Sequence, residues 1–176
     1  AVALLTRFEQ LGMHLNSLKV GNDDQIRQAL AIADAYEGSF IIQIEGGKAG
    51  GHHSFDPLDE LLLQWYDRIR RRPKLLLTVG GGIGSPERAR ALMTGAWSER
   101  YGRAAMPVDA FFVGTALMAA KETTTSKSVK KALAKTKGTD AILGRGISDG
   151  GIRSGQSGLG ADIYYIDNHA AQTANL

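Results

Sequence analysis

The sequence predicts an α/β fold: about four β/α units, of the kind that make up half of a (β/α)8 barrel, followed by a glycine-rich tail. Three observations carry this. Short apolar runs at 40–45, 75–79 and 108–113, with a less apolar strand-like stretch at 14–20, alternate with segments of helical period. Each run ends in a glycine-containing loop. The tail from 138 onward is rich in Gly and Ser and has no helical period. Strands alternating with helices imply a parallel sheet with right-handed crossovers.

In order, residues 1–13 read as a helix, with Val2, Leu4, Leu5, Phe8 and Leu11 at helical spacing. Gly12 can end it. His14 to Val20 reads as a short strand. Asn22 or Asp23 can cap a helix over 24–36 that carries Ile26, Leu30 and Ala33 on one face. The strand Phe40–Glu45 follows and runs into GGKAGGHH. Asp56-Pro57 opens a helix with the apolar stripe Leu58, Leu61, Leu62, Trp65, Tyr66 and Ile69. LLLTV at 75–79 is a strand leading into GGGIG. Ser85-Pro86-Glu87 starts a helix with a cap and an early proline. Residues 96–107 read as an insertion without period. Val108–Val113 is a strand ending in Gly114-Thr115. Helices are expected over about 116–122 and 128–136. Two units follow: 1–137, the β/α part, and 138–176, a loop-rich connecting segment in which ADIYYIDN can form a further strand.

Four such units suit a small doubly wound sheet or half of an eight-stranded barrel. The placement of the glycines favours the barrel. They follow the strands, at the carboxyl face where barrel enzymes keep their sites, and the last two loops are those that commonly hold a phosphate. On that reading this is the C-terminal half, and the first half lies outside the sequence. The first residue is not Met, which suggests a processed chain or a piece of a longer one.

Composition bounds the function. The 176 residues are 43% hydrophobic and 22% charged, a globular balance with room for a core. There is no cysteine, so disulfides and thiolate metal sites are excluded. No apolar run approaches a membrane span, and AVALLTRFEQ is not a signal peptide, so a cytoplasmic address is expected. A formal charge of +3 argues only weakly for nucleic acid, and neither a nucleic-acid nor a membrane partner is expected. The basic clusters Arg68–Lys74 and Lys127–Lys137 read first as solvated helix faces and C-termini. An acidic carrier protein is the sharper alternative.

The candidate site residues lie on the loops. Gly81, Gly82 and Gly84, with the helix that follows, can turn backbone N–H groups toward a phosphate. The bland reading is a tight strand-to-helix turn. Gly114 and Thr115, one unit later, make a second phosphate loop or only a turn and a cap. Gly50 and Gly51 allow close approach of the backbone to a ligand. His52 and His53 are candidate proton carriers, one of them facing the ligand, or a structural pair. No metal-ligand spacing accompanies them. Lys19 is either a cofactor contact at the barrel mouth or a surface lysine. Gln43 and Glu45 share a strand face beneath the site. His14 and His169 read as structural or surface residues.

IIQIEGGKAGGHHSF, LLLTVGGGIGSPERARALMTGAWS and MPVDAFFVGTALMAAKETTTS together resemble the flavin-dependent enoyl reductase domain of type I fatty acid synthases, in its fungal and actinobacterial forms. LNSLKVG and SGLGADIYYIDN extend the likeness. The AGGH element is also similar to nitronate monooxygenases. The resemblance implies a TIM barrel that uses FMN and NADPH to reduce an enoyl thioester. It implies an FMN phosphate between Gly81, Gly82, Gly84 and Gly114–Thr115, and His52, with His53 second, as proton donor or substrate-positioning group. It also implies an acyl carrier domain, other synthase domains and the missing barrel half as partners in a homo-oligomeric assembly. A flavin oxidase of the nitronate monooxygenase type and a scaffolding segment with an incomplete site are the alternatives.

Overall fold

A computed structural model of the chain describes residues 1–138 and 148–167. The chain enters through α1 (Val2–Gln10), which has no side-chain cap and buries Leu5. β1 (Ser17–Val20) leads to α2 (Asp23–Ala35), whose N-cap is Asn22: its side chain accepts from the Gln25 N–H at 3.0 Å. β2 (Phe40–Glu45) is followed by a two-residue strand, β3 (Gly51–His52), within the glycine–histidine loop. Then come α3 (Leu58–Arg70), β4 (Leu75–Gly80) and α4 (Pro86–Thr94). Ser85 caps α4 by accepting from the Arg88 N–H at 3.2 Å, and Pro86 occupies the first turn, where its missing N–H costs nothing.

β1, β2, β4 and β5 (Ala110–Phe111) form one parallel sheet, and their spatial order follows their chain order. Alternate residues face the helices. Phe40, Ile42 and Ile44 of β2 and Leu77 and Val79 of β4 are fully buried against α2 and α3, which present Ile26, Ala33, Leu62, Trp65 and Ile69. Each such side chain contributes about 1.5–3 kcal/mol when fully buried. The other face is more open and more polar. In register it carries Ser17, Ile41 and Leu76, then Lys19, Gln43, Thr78 and Ala110, then Glu45 and Gly80. Leu76 on this face is 42% exposed, whereas parallel sheets are ordinarily covered on both faces.

The insertion at 96–107, read as without period, is partly ordered and partly buried. A 310 helix spans Ala96–Tyr101, and Trp97, Ser98 and Met106 are buried. Side chain–backbone bonds hold the excursion: Trp97 Nε1 donates to the Met106 carbonyl at 2.8 Å, and Ser98 Oγ donates to the Gly95 and Ala104 carbonyls at 2.9 and 2.7 Å. The strand expected over 108–113 is ladder-paired only at Ala110–Phe111. There Asp109 supplies its carboxylate to the Leu77 N–H at 2.6 Å, so a side chain takes over one rung. The helix expected over 116–122 is α5, Thr115–Met118. It stops because side chains take the next carbonyls: Thr123 Oγ1 donates to those of Met118 and Ala120, and Lys130 Nζ to those of Ala120 and Thr123. α6 (Lys127–Lys135) is capped by Ser126.

The tail departs from a loop-rich segment. β6 (Ser148–Asp149), β7 (Ile152–Gln156) and β8 (Asp162–Ile166) form an antiparallel sheet, and β3 adds to it through β8. β8 is the strand foreseen in ADIYYIDN. The pattern of β7, IRSGQ, hides a strand because Ser154 is its fully buried residue and Gly155 lies beneath the Tyr165 ring. Residue 169 and the rest of 168–176 lie outside the described residues.

Candidate functional site

β4 delivers the chain into Gly81 and Gly82, with φ of +98° and +71°. Only glycine holds this left-handed backbone without strain. Space demands it too: a β-carbon on Gly81 would lie 2.8 Å from the Gly46 carbonyl oxygen, and one on Gly82 would lie 2.9 Å from Lys48 Cβ. Consecutive glycines of this kind, followed by a capped helix, are backbone suited to anions. The second loop arrives one unit later as Gly114-Thr115. Between them lies a cleft of about 340 Å3. Gly50, Gly81, Gly82, Gly84, Gly114 and Thr115, six of the residues singled out in the sequence, all line it. So do Gln43 and Glu45, from the open face of the sheet.

Glu45 is nearly buried and its charge is matched. Lys19 Nζ lies 3.1 Å from Oε1, and Gln43 Nε2 donates to Oε2 at 2.9 Å. Lys19 Nζ also donates to the His52 carbonyl at 3.2 Å. Lys19 therefore ties the sheet face to the glycine–histidine loop and is absent from the cleft lining.

The histidines diverge, as neighbours on an extended strand must. His52 is exposed on β3, with Nε2 3.2 Å from Ser157 Oγ. His53 turns inward. Its Nδ1 sits 2.5 Å from the Ser54 carbonyl, which fixes Nδ1 as the protonated nitrogen, since a carbonyl only accepts. Its ring stacks on Tyr164 with centroids 3.7 Å apart and planes 1° from parallel. His53 Nε2 is buried and has no hydrogen-bond partner among the described residues. Burial, reinforced by the Asp162 charge, pushes the Tyr164 phenol above its ordinary pKa. Neither histidine lines the glycine cleft, and Gly51, at φ +75°, faces open space. His14 is exposed.

A second cleft of about 370 Å3 adjoins the first and shares Lys48, Gly50, Gly82 and Thr115 with it. Its other walls are largely apolar or aromatic, among them Leu133, Ile152, Tyr164 and Ile166. Sequence reasoning passed over two features. Lys48 lines both clefts, yet its position inside a glycine run gave no signal beyond a loop lysine. The buried Asp59, held by Arg88 and Arg100, is assembled by packing alone. Among the described residues no three His, Asp or Glu side chains gather as a metal site, and no helix is long and apolar enough to cross a membrane.

Fold and cleft together define a parallel β/α protein with a glycine-walled cleft where its strands end, the usual place for an anionic ligand in such sheets. Comparison with known proteins narrows the class. The chain belongs to the fatty acid synthase subunit beta/Fas1-like family, whose model, described as helical, matches residues 39–176. It is 39% identical over 160 residues to the fatty acid synthase beta subunit aflB of Emericella nidulans, covering 89% of this chain and 8% of that protein. It is 40% identical over 131 residues to the fatty acid synthase subunit beta of Saccharomyces cerevisiae, covering 74% of this chain and 6% of that protein. Fatty acid synthase 2 of Mycosarcoma maydis matches at 34% over 174 residues, 97% of this chain and 5% of that protein. The chain thus spans less than a tenth of the length of these relatives.

Proposed function

We propose that this segment is the phosphate-holding C-terminal half of a flavin-dependent enoyl-thioester reductase barrel within the synthase. The observation that carries the reading is the meeting of the Gly81–Gly84 loop and the Gly114–Thr115 loop across one cleft. Strand order that follows chain order supports a barrel half over a doubly wound sheet, whose order reverses at a switch point. The open polar face, with Lys19, Gln43, Glu45 and Thr78, is what a barrel interior beneath a site needs, and the edges of β1 and β5 await partners. The occupant of those edges is the other barrel half, a further segment of the same synthase. An acyl carrier domain and NADPH would bring the substrate and the reducing equivalents, in a cytoplasmic homo-oligomeric assembly.

The residues fit the phosphate end of FMN. Six glycines are among its walls, and the one acidic side chain lining the cleft, Glu45, is already paired with Lys19. When bound, FMN supplies hydride relay between NADPH and the enoyl thioester. This chain's part is to hold the phosphate with Gly81, Gly82, Gly84, Gly114 and Thr115, and to keep the glycine–histidine loop in place through Lys19 and the His52 carbonyl. His52, exposed and held by one hydroxyl contact, is the group to hold or deliver a proton; His53, locked in one tautomer, positions the loop.

Binding of FMN and of riboflavin to the segment joined to its other barrel half tests this. FMN should bind at least about tenfold tighter, a difference of about 1.4 kcal/mol. Equal binding would exclude the phosphate role. NADPH oxidation with a crotonyl thioester, against a nitronate, separates the reductase from an oxidase of the nitronate monooxygenase type; turnover of the nitronate alone would sink the reductase reading. Flavin bound with no turnover of either would leave the segment a scaffold. A His52→Ala variant that keeps flavin and full turnover would remove His52 from the chemistry.

A further inference from the structure

We propose that the apolar cleft beside the glycine cleft is the subsite for the acyl chain of the thioester, and that Leu133, Ile152 and Ile166 are the residues that read its length. The choice of ligand rests on the enoyl-thioester reading above; the cleft itself does not. One face of the tail sheet builds a wall. Ile152 pairs with Ile166 across β7 and β8, Tyr164 lies two residues from Ile166 on the same face, and all three line the cleft. α6 supplies a second wall through Leu133 and Thr136. Two links hold these walls in place. The Lys137 N–H donates to the Gly150 carbonyl at 3.2 Å and ties the end of α6 to the β6–β7 turn. The pairing of β8 with β3 ties the sheet to the glycine–histidine loop.

Neither wall is completed by the described protein. α6 is amphipathic, with Val129, Ala132 and Leu133 on one face, yet none of its residues is fully buried. A helix of 9 residues owes most of its stability to burying such a face. Ile152 and Ile166 are likewise only half-buried. Lys48 is the one charged side chain in the described lining, and it lines the glycine cleft as well. A volume of about 370 Å3 with apolar and aromatic walls is that of a small-ligand site.

Continuity selects the occupant. The two clefts share Gly50, Gly82 and Thr115, and two of these have no side chain, so a narrow ligand can pass from one cleft to the other. A ligand that reaches both is polar at one end and apolar along the rest. An enoyl thioester is built this way. Its thioester and double bond belong near the cofactor, and the hydrocarbon beyond them belongs against Leu133, Ile152 and Ile166. Each methylene taken up there should tighten binding roughly fourfold, through transfer of one CH2 group out of water.

Both walls lie within this chain, so binding to the full chain tests the subsite without turnover. Octanoyl-pantetheine should bind roughly sixtyfold or more tightly than butyryl-pantetheine, the effect of three buried methylenes. Leu133→Trp and Ile152→Trp fill the cleft from its two walls, with circular dichroism to verify folding. Each should cut that ratio about tenfold or more, within the range that small changes in an apolar pocket produce. Lys131→Ala, at an exposed position of the same helix, should leave the ratio where it is. Equal affinity for the two chain lengths overturns the proposal, and so does a preference that survives both tryptophan variants. NADPH oxidation by the intact synthase subunit that carries this segment, with crotonyl and octenoyl thioesters, tests the reductase reading separately. Turnover of neither, with the chain preference kept, would sink that reading and leave the subsite standing.

Discussion

Gly50 faces Thr115 so closely that a β-carbon on residue 50 would lie 2.7 Å from Thr115 Oγ1. The histidine loop and the second glycine loop therefore approach each other at a position where a side chain would have to displace the Thr115 hydroxyl. The backbone of Gly50 has no positive φ, so alanine can adopt its conformation and the obstacle is steric. Gly50→Ala should displace the Thr115 side chain and cost about 0.5–1 kcal/mol, below the range for an overpacked core, because the position is exposed and the obstacle is one side-chain hydroxyl. Gly50→Ala combined with Thr115→Ala should cost less than the sum of the single changes by at least about 0.5 kcal/mol. Urea denaturation of the four chains measures this; strict additivity would show that the two loops do not meet.

Trp97 anchors the excursion between α4 and β5. Its side chain is 3% exposed, and its indole N–H is spent on Met106. Trp97→Ala should cost about 3–5 kcal/mol, as for other large buried aromatics. Trp97→Phe should cost less but still lose about 1 kcal/mol, because the Met106 carbonyl is left without that donor. A change within 0.5 kcal/mol for Trp97→Ala would show that Trp97 does not anchor residues 96–107.

What the sequence made legible was what local chemistry decides. Asn22, Ser85 and Pro86 set helix starts, and the runs at 40–45 and 75–80 are strands because one face of each is buried without interruption. The glycine loops were legible because positive φ and close approach leave few other residues possible. The rest is tertiary. Trp97 and Met106 enter the core with no period to announce them. Asp109 replaces a rung of the ladder with its side chain. Ser154 is the one buried residue of β7 and Gly155 follows it, a residue that strands disfavour. Asp59 meets Arg88 and Arg100 across 29 and 41 residues, and no spacing rule spans such distances. That His52 and His53 point apart was legible from their adjacency on an extended loop; which of them turns inward became visible only once β3 paired with β8.

Two carboxylates between α2 and α3 set an acid limb to stability. The Trp65 indole N–H, at 2.7 Å, is the first cause that holds Asp23 below its ordinary value of 3.8, followed by Gln64. Arg72, donating to both oxygens of Asp34 at 2.7 Å, does the same there. A carboxylate whose pKa is lowered by folding stabilises the fold above its unfolded value and loses that contribution as pH falls through the folded value. The melting temperature should therefore hold down to about pH 4 and fall below it. Asp23→Asn keeps an acceptor for Trp65 and removes the titration, so its acid limb should be shallower than the parent's. Thermal melts from about pH 5 to about pH 2 decide the matter, and identical slopes would relieve Asp23 of this role.

The stack of His53 on Tyr164 is the aromatic contact that docks the antiparallel sheet on the glycine–histidine loop. The His53 N–H donates to the Asp162 carbonyl at 3.3 Å, so its exchange with solvent reports the docking directly. Aromatic pairs contribute about 0.5–1.5 kcal/mol beyond their burial, equivalent to roughly a 2- to 12-fold change in a local opening equilibrium. Tyr164→Ala should accelerate exchange at the His53 and β3 amides by at least that factor, and the amides of α2 and α3 should be unaffected. Tyr164→Phe keeps the ring and should leave the rates near those of the parent. Hydrogen exchange followed by mass spectrometry reads both regions at once. Equal acceleration across the whole chain would mean that Tyr164 supports global stability and that the sheet is not held to the loop by this stack.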